Sequence, residues 1–129
     1  MSIEVKDLSF SYGDHAVLHD ISFSVGKGEF LSILGPNGVG KSTLFRCILG
    51  LLSGYTGIVT VDGIDARTLS IREAARHIAY IPQSSRPVFN YSVFDIVLMG
   101  TTSDLAPFRS PSKAGNERCA WALEKVGIS

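Results

Sequence analysis

A glycine-rich segment at residues 35–43 constrains the fold of this 129-residue chain more than any other stretch. It reads GPNGVGKST and lies between a short apolar run at residues 30–34 and apolar residues at helical spacing from 44 to 52. Glycine tolerates positive φ and lets other atoms approach the backbone closely, as a tight loop between a strand and a helix requires. The pattern G-x-x-x-x-G-K-[ST] in this setting predicts a loop that binds the phosphates of a nucleoside triphosphate.

The side chains of this loop suit that chemistry. Lys41 offers a point charge for the β and γ phosphates, and the Ser42 hydroxyl suits Mg²⁺. Thr43 continues into a helix whose positive N-terminal end would face the anion. The alternative is a glycine-rich turn with Lys41 merely solvated. The predicted nucleotide-binding residues of the loop are Gly35, Pro36, Asn37, Gly38, Val39, Gly40, Lys41, Ser42 and Thr43.

Composition limits the classes of function. Twelve basic residues balance twelve acidic ones, so there is no charge excess to predict nucleic-acid binding. The 45% hydrophobic content supports one globular domain. Cys47 and Cys119 are too few for a disulfide framework or a zinc site, and we expect buried thiols in a reducing cytosol. Neither a signal peptide nor a spanning segment is apparent, which predicts a protein that is soluble or peripheral through a partner.

The order of predicted elements indicates an α/β fold. A hairpin is predicted around the turn Gly13-Asp14, and two further strands should flank the loop and its helix. The predicted strands are 3–12, 17–25, 30–34, 57–61 and 78–81, and a short helix is predicted at 70–77.

The chain becomes mainly helical after the polar break at residues 82–87. Ser92 and Asp95 resemble a capping box at the start of a helix that runs to about Gly100. A loop from Thr101 to Ser112 follows, either a surface loop or a mobile connector. The last helix should bury one face, formed by Cys119, Ala122, Leu123 and Val126.

Several spaced motifs together resemble the ATPase subunit of ABC transporters: Ser11-Tyr12-Gly13, the loop itself, Gly57-Ile58-Val59 and Ile81-Pro82-Gln83. The likeness covers essentially the whole chain. It implies a P-loop NTPase of the ABC-ATPase type with an N-terminal antiparallel β part, the start of a helical subdomain and an incomplete sheet. The implied domains are 1–87, the N-terminal part of the ATP-binding core, and 88–129, the start of the helical subdomain.

The resemblance also implies roles for single residues, with ATP and Mg²⁺ as the bound species. Tyr12 would stack on adenine, although it could instead be a hairpin tyrosine that packs locally. Gln83 would link Mg²⁺ and the attacking water to the membrane partner, although it could be a polar residue at a strand end. Lys41 and Gln83 are thus the implied catalytic residues, and Ser42 and Gln83 the implied metal ligands.

Other segments look like motifs of the family but do not match them. Leu52-Ser53-Gly54 begins like the family's L-S-G-G-Q signature, but Tyr55 replaces the second glycine. Asp62 and Asp65 come too early for the family's metal-binding carboxylate, and we interpret them as turn residues. His15, His19 and His77 are interpreted as ordinary surface or hairpin residues. Because the signature, the Asp-Glu strand and the switch histidine are absent, we expect the isolated chain not to hydrolyse ATP at a useful rate.

Within the family, residues 92–100 and 127–128 look most like importers of iron-siderophores, haem or cobalamin, although Thr101 stands where those proteins usually have arginine. The resemblance implies a second ATPase subunit and a transmembrane permease as partners. It also implies a cytoplasmic protein, peripheral on the inner face of the cell membrane. A non-transport ATPase of the same family and a binding-only nucleotide module are the alternatives.

Overall fold

The structure is a computed structural model that describes residues 1–83, 89–101 and 112–128. The chain divides into two compact units, Met1–Ala79 and Tyr80–Ser129. The predicted boundary between residues 87 and 88 and most of the predicted loop from 101 to 112 lie outside the described residues.

The N-terminal hairpin has the predicted position. Strand β1 (Ile3–Tyr12) pairs antiparallel with β2 (His15–Val25), and Phe10 faces Leu18 in the register. Gly13 has a φ of 55°, so the connecting turn uses the backbone freedom of glycine. The hairpin prediction is confirmed.

The sheet grows on the other side of β1. Strand β3 (Thr56–Val61) pairs antiparallel with β1, and the two-residue β4 (Ile64–Asp65), which the sequence did not predict, pairs with β3. The sheet order is β2-β1-β3-β4. Asp62 and Gly63 have φ values of 50° and 79° between β3 and β4, as a tight hairpin turn requires. Asp65 accepts a hydrogen bond from the Arg67 backbone N–H at the start of the 3-10 helix Ala66–Thr68. Asp62 is therefore a turn residue, as predicted, whereas Asp65 is the last residue of β4 and the N-cap of the 3-10 helix.

One apolar core lies between this sheet and helix α1 (Lys41–Ile48). Val5, Leu8 and Val59 are almost fully buried, and α1 contributes Leu44, Cys47 and Ile48. Burial raises the pKa of the Cys47 thiol, so this cysteine stays protonated and unreactive. Tyr55 also belongs to the core, which agrees with a structural rather than a signature role for that residue.

Two predicted strands are wrong. Residues 30–34 and 78–81 form neither helix nor strand, and the side chains of Phe30, Leu34 and Ile81 are 91–92% exposed. A strand exists only where a neighbour satisfies its backbone N–H and C=O groups, and the described four-stranded sheet offers these segments none. Within these two segments, Ile33 and Ile78 are the hydrophobic residues that pack against the core. The sheet is incomplete, as the resemblance implied.

Helix α2 (Ile71–His77) begins one residue after the predicted start because Ser70 is its N-cap. Ser70 and Glu73 form a full capping box, which was not among the predicted features. At the other end, His77 Nδ1 lies 3.0 Å from a carboxylate oxygen of Asp62. His77 is thus a structural contact residue, whereas His15 and His19 are exposed on β2.

The second unit contains helices α3 (Val93–Met99) and α4 (Lys113–Lys125). The predicted capping box of Ser92 and Asp95 is confirmed, and α3 ends within one residue of the prediction. Cys119 is buried as predicted, and its thiol donates to the carbonyl oxygen of Phe94 at 3.5 Å. Val126 does not continue the buried face, since α4 ends at Lys125 and Val126 is 68% exposed.

Candidate phosphate-binding site

Helix α1 begins at the glycine-rich loop. Gly40 is its N-cap, with a φ of 102° and no side-chain hydrogen bond to the helix. The Leu44 N–H donates to the Gly40 carbonyl at 2.9 Å and closes the first turn. The N–H groups at the start of a helix have no partner within it, and they carry the positive end of the helix dipole. The loop therefore leads into a helix end that suits an anion.

The glycines of the loop serve different purposes. Gly38 and Gly40 have φ values of 85° and 102°, as predicted for a loop of this kind. Gly35 is not among the residues with positive φ. Glycine at this position instead lets the Val39 side chain lie close to the backbone, because a methyl group on Gly35 would be 2.9 Å from Cγ1 of Val39.

The Lys41 side chain folds back over its own loop. Its Nζ donates to the carbonyl oxygens of Gly35 at 2.6 Å and Pro36 at 2.7 Å. An ammonium group has three donors, so two position the charge and the third remains for a phosphate oxygen. The loop, rather than solvent alone, orders the Lys41 charge.

Ser42 and Thr43, which follow Lys41, differ in their exposure to solvent. Ser42 is exposed in the first turn of α1, where its hydroxyl is accessible to a ligand. Thr43 is only 8% exposed, so its side chain belongs to the packed side of the helix.

Tyr12 lies at the end of β1 and combines local packing with exposure. Its ring meets the Phe10 ring edge to face, with centroids 4.9 Å apart and planes at 86°. The residue nevertheless remains 45% exposed. Local packing on Phe10 thus leaves ring surface that a base could stack on.

Gly40 also contacts the hairpin, which no sequence motif indicated. A methyl group at Gly40 would lie 3.0 Å from Cδ2 of Leu18 and 3.1 Å from both Cγ1 and the carbonyl oxygen of Val17. Gly40 is therefore needed for close packing on β2 as well as for its backbone conformation. Hydrophobic alternation along β2 gives Leu18 as an inward residue but does not reveal what it touches.

Gln83 is exposed and belongs to the second unit. Its role remains a prediction, because no described contact of the amide indicates a metal or a partner.

The residues present suit Mg²⁺ as a partner of bound phosphates. Across residues 1–83, 89–101 and 112–128, no group of three or more His, Cys, Asp or Glu side chains could hold a metal ion. Mg²⁺ commonly keeps several waters and binds through phosphate oxygens with few protein ligands. The exposed Ser42 hydroxyl beside the phosphate loop fits that arrangement as one such ligand.

Comparison with known proteins identifies the family. The family model described as ABC transporter matches residues 18–129, which include the whole phosphate loop. The chain belongs to the ABC transporter family. The sequence resemblance and the incomplete P-loop NTPase fold are thus confirmed.

Relatives of this ABC transporter chain are ATP-binding proteins of transport systems. It is 41% identical to a probable iron chelatin transport ATP-binding protein of Helicobacter pylori, over 99% of this chain and 51% of that protein. It is 38% identical to a zinc transport system ATP-binding protein of Treponema pallidum, over 98% of this chain and 47% of that protein. The chain therefore spans about half the length of these curated relatives.

A solved structure agrees with this assignment. The ATP-binding subunit of an ABC transporter superimposes with a TM-score of 0.81 at 28% identity, and the match covers 99% of this chain and 51% of the other. Within the described ranges, no helix of this ABC transporter chain has the length and apolar character needed to cross a membrane.

Proposed function

We propose that this chain binds ATP with Mg²⁺ at the loop from Gly35 to Thr43. The observation that carries the proposal is the Lys41 ammonium, which two loop carbonyls hold at the N-terminus of α1. A fixed positive charge, a glycine loop and an open helix end together suit a polyphosphate better than any other common ligand.

Each site residue has a proposed task. Lys41 binds the β and γ phosphates, and Ser42 binds Mg²⁺. Tyr12 stacks on the adenine ring. Gln83 contacts Mg²⁺ and the attacking water in the full-length protein. These assignments rest on the matched motifs and on the exposure of Tyr12, Ser42 and Gln83.

In the full-length protein, ATP hydrolysis would drive import of a substrate across the membrane. The partners would be a second ATPase subunit and transmembrane permease subunits, which would hold the protein at the inner face of the cell membrane. Relatives named for iron chelatin, zinc, manganese and phosphonate transport support import as the process. A metal chelate, such as an iron-siderophore, haem or cobalamin, is the proposed substrate.

The test of binding is a titration of the chain with a fluorescent ATP analogue. Lys41→Ala should weaken binding by tenfold to a hundredfold, because hydrogen bonds to charged groups contribute about 1.5–3 kcal/mol. Lys27→Ala is the matched control, since Lys27 is an exposed lysine in a turn outside the loop. Equal affinities for the wild type and Lys41→Ala would contradict the assigned role of the loop.

We further propose that the 129-residue chain by itself binds ATP without turning it over. Phosphoryl transfer needs a group that orients water and a metal-binding carboxylate in addition to the phosphate loop. Steady-state phosphate release from the purified chain should stay at the level of a buffer blank. Release that Lys41→Ala abolishes would show that the chain is a competent ATPase.

A further inference from the structure

A buried contact joins the two parts of the proposed site, the phosphate loop and the ring of Tyr12. Leu18 is 5% exposed on β2, and its Cδ2 atom lies so close to Gly40 that a methyl group there would be only 3.0 Å from it. Gly40 in turn is the N-cap of α1, so Leu18 supports the residue at which the loop becomes a helix.

The same leucine is linked to Tyr12 through its strand partner. Leu18 faces Phe10 in the β1–β2 register, and both side chains belong to the apolar core. The Phe10 ring packs edge to face on the Tyr12 ring, at a centroid distance of 4.9 Å. A continuous series of contacts therefore runs from Tyr12 through Phe10 and Leu18 to Gly40.

We propose that Leu18 is a positioning residue, which fixes the distance between the Tyr12 ring and the phosphate loop so that one nucleotide can occupy both. This inference rests on the proposed ATP binding and adds a residue outside the glycine-rich motif. The physical reason is preorganisation: a base and its phosphates bind together at lower cost when the two sub-sites are held at a set separation. Leu18 touches no ligand in this scheme and acts only through Gly40 and Phe10.

The test compares a ligand that occupies both sub-sites with one that occupies the loop alone. Leu18→Ala should weaken binding of ATP about tenfold but change the binding of tripolyphosphate by less than about threefold, because every residue of the loop is retained and only its separation from the Tyr12 ring is loosened. Leu18→Met, which keeps a side chain of similar volume against Gly40, should restore ATP affinity to near the wild-type value. A uniform loss for both ligands would show only a destabilised domain and would overturn the proposal.

A double-mutant cycle measures whether Leu18 and Tyr12 are coupled in ATP binding, which a general loss of stability would not produce. If Leu18 positions the Tyr12 ring, Tyr12→Ala should weaken ATP binding much less in the Leu18→Ala background than in the wild type. The matched control background is Val5→Ala, which truncates another fully buried residue of the hairpin, opposite Phe23 and Val59. There the effect of Tyr12→Ala should keep its wild-type size. Equal effects in all three backgrounds would refute the role of Leu18.

Binding data distinguish failure of the proposed function from failure of the role of Leu18. A wild-type chain that binds neither ATP nor tripolyphosphate would remove the proposed function and this inference with it. If the chain binds ATP in a Lys41-dependent way but Leu18→Ala has no specific effect, the proposed function stands and only the role of Leu18 is refuted.

Discussion

At the scale of single residues, the same residue type meets different demands within the phosphate loop. Gly38 and Gly40 adopt positive φ, whereas Gly35 leaves room for the Val39 side chain. Gly40 alone is constrained twice, by its φ and by its contact with β2. The motif requires Gly35 and Gly40 and leaves position 38 free, but the structure gives Gly38 a reason as well, because its φ is 85°.

Tyr12 provides the prediction at this scale. Tyr12→Ala should weaken ATP binding about tenfold, since stacking of an aromatic ring on a base contributes about 1–3 kcal/mol. Tyr12→Phe should bind ATP nearly as well as the wild type, because it keeps the ring, and tripolyphosphate binding should be unchanged in both variants. The measurement is a competition titration against a fluorescent ATP analogue. Unchanged ATP affinity of Tyr12→Ala would leave only the local packing of Tyr12 on Phe10.

At the scale of elements, the β1–β3 pairing depends on one close approach of two backbones. The register shifts between Lys6 and Ser9 of β1, and Gly57 of β3 lies opposite this irregularity with a φ of 86°. A methyl group on Gly57 would collide with the carbonyl oxygens of Lys6 and Asp7. The glycine of the Gly57-Ile58-Val59 motif thus has a structural explanation in strand pairing.

Gly57→Ala should therefore lower the free energy of unfolding by about 2–4 kcal/mol, through backbone strain together with displacement of β3 from β1. Gly63→Ala is the matched control, because Gly63 also has positive φ (79°) but has nothing within 4 Å of an added methyl group. It should cost only about 1–2 kcal/mol, the conformational penalty alone. Urea unfolding followed by circular dichroism measures both values. A loss at Gly57 no larger than that at Gly63 would contradict the close approach.

At the scale of the whole molecule, Asp62 links distant parts of the first unit. Its carboxylate accepts from the Ser2 backbone N–H at 2.7 Å and contacts His77 Nδ1 at 3.0 Å. The Asp62 side chain thus connects the start of the chain and the end of α2 to the β3–β4 turn. The His77 hydrogen bond, followed by that of Ser2, lowers the pKa of Asp62.

This linkage predicts a pH dependence of stability. Because the pKa of Asp62 is lower in the folded chain than in the unfolded chain, its contribution is complete above about pH 4 and is lost as the pH falls through the folded value. Asp62→Asn should be less stable than the wild type near neutral pH, and the difference should shrink toward about pH 3. Urea midpoints across this range measure the effect. The control is Asp20→Asn, which changes another aspartate at positive φ (46°), one whose carboxylate accepts a hydrogen bond from the Ser9 hydroxyl. A difference for Asp62→Asn that stays constant down to about pH 3 would disprove the linkage.

The sequence by itself determined the features that depend on near neighbours in the chain. These are the phosphate loop and the start of α1, the hairpin turn at Gly13 and the capping box at Ser92, each fixed by backbone preferences or hydrogen bonds within a few residues. Tertiary structure decided the rest. Residues 30–34 and 78–81 have the composition of strands, yet a strand also needs a partner that local sequence cannot supply. The contact of Leu18 with Gly40 likewise depends on how the hairpin packs on the loop, since the two residues are distant in the chain and meet only when the core forms.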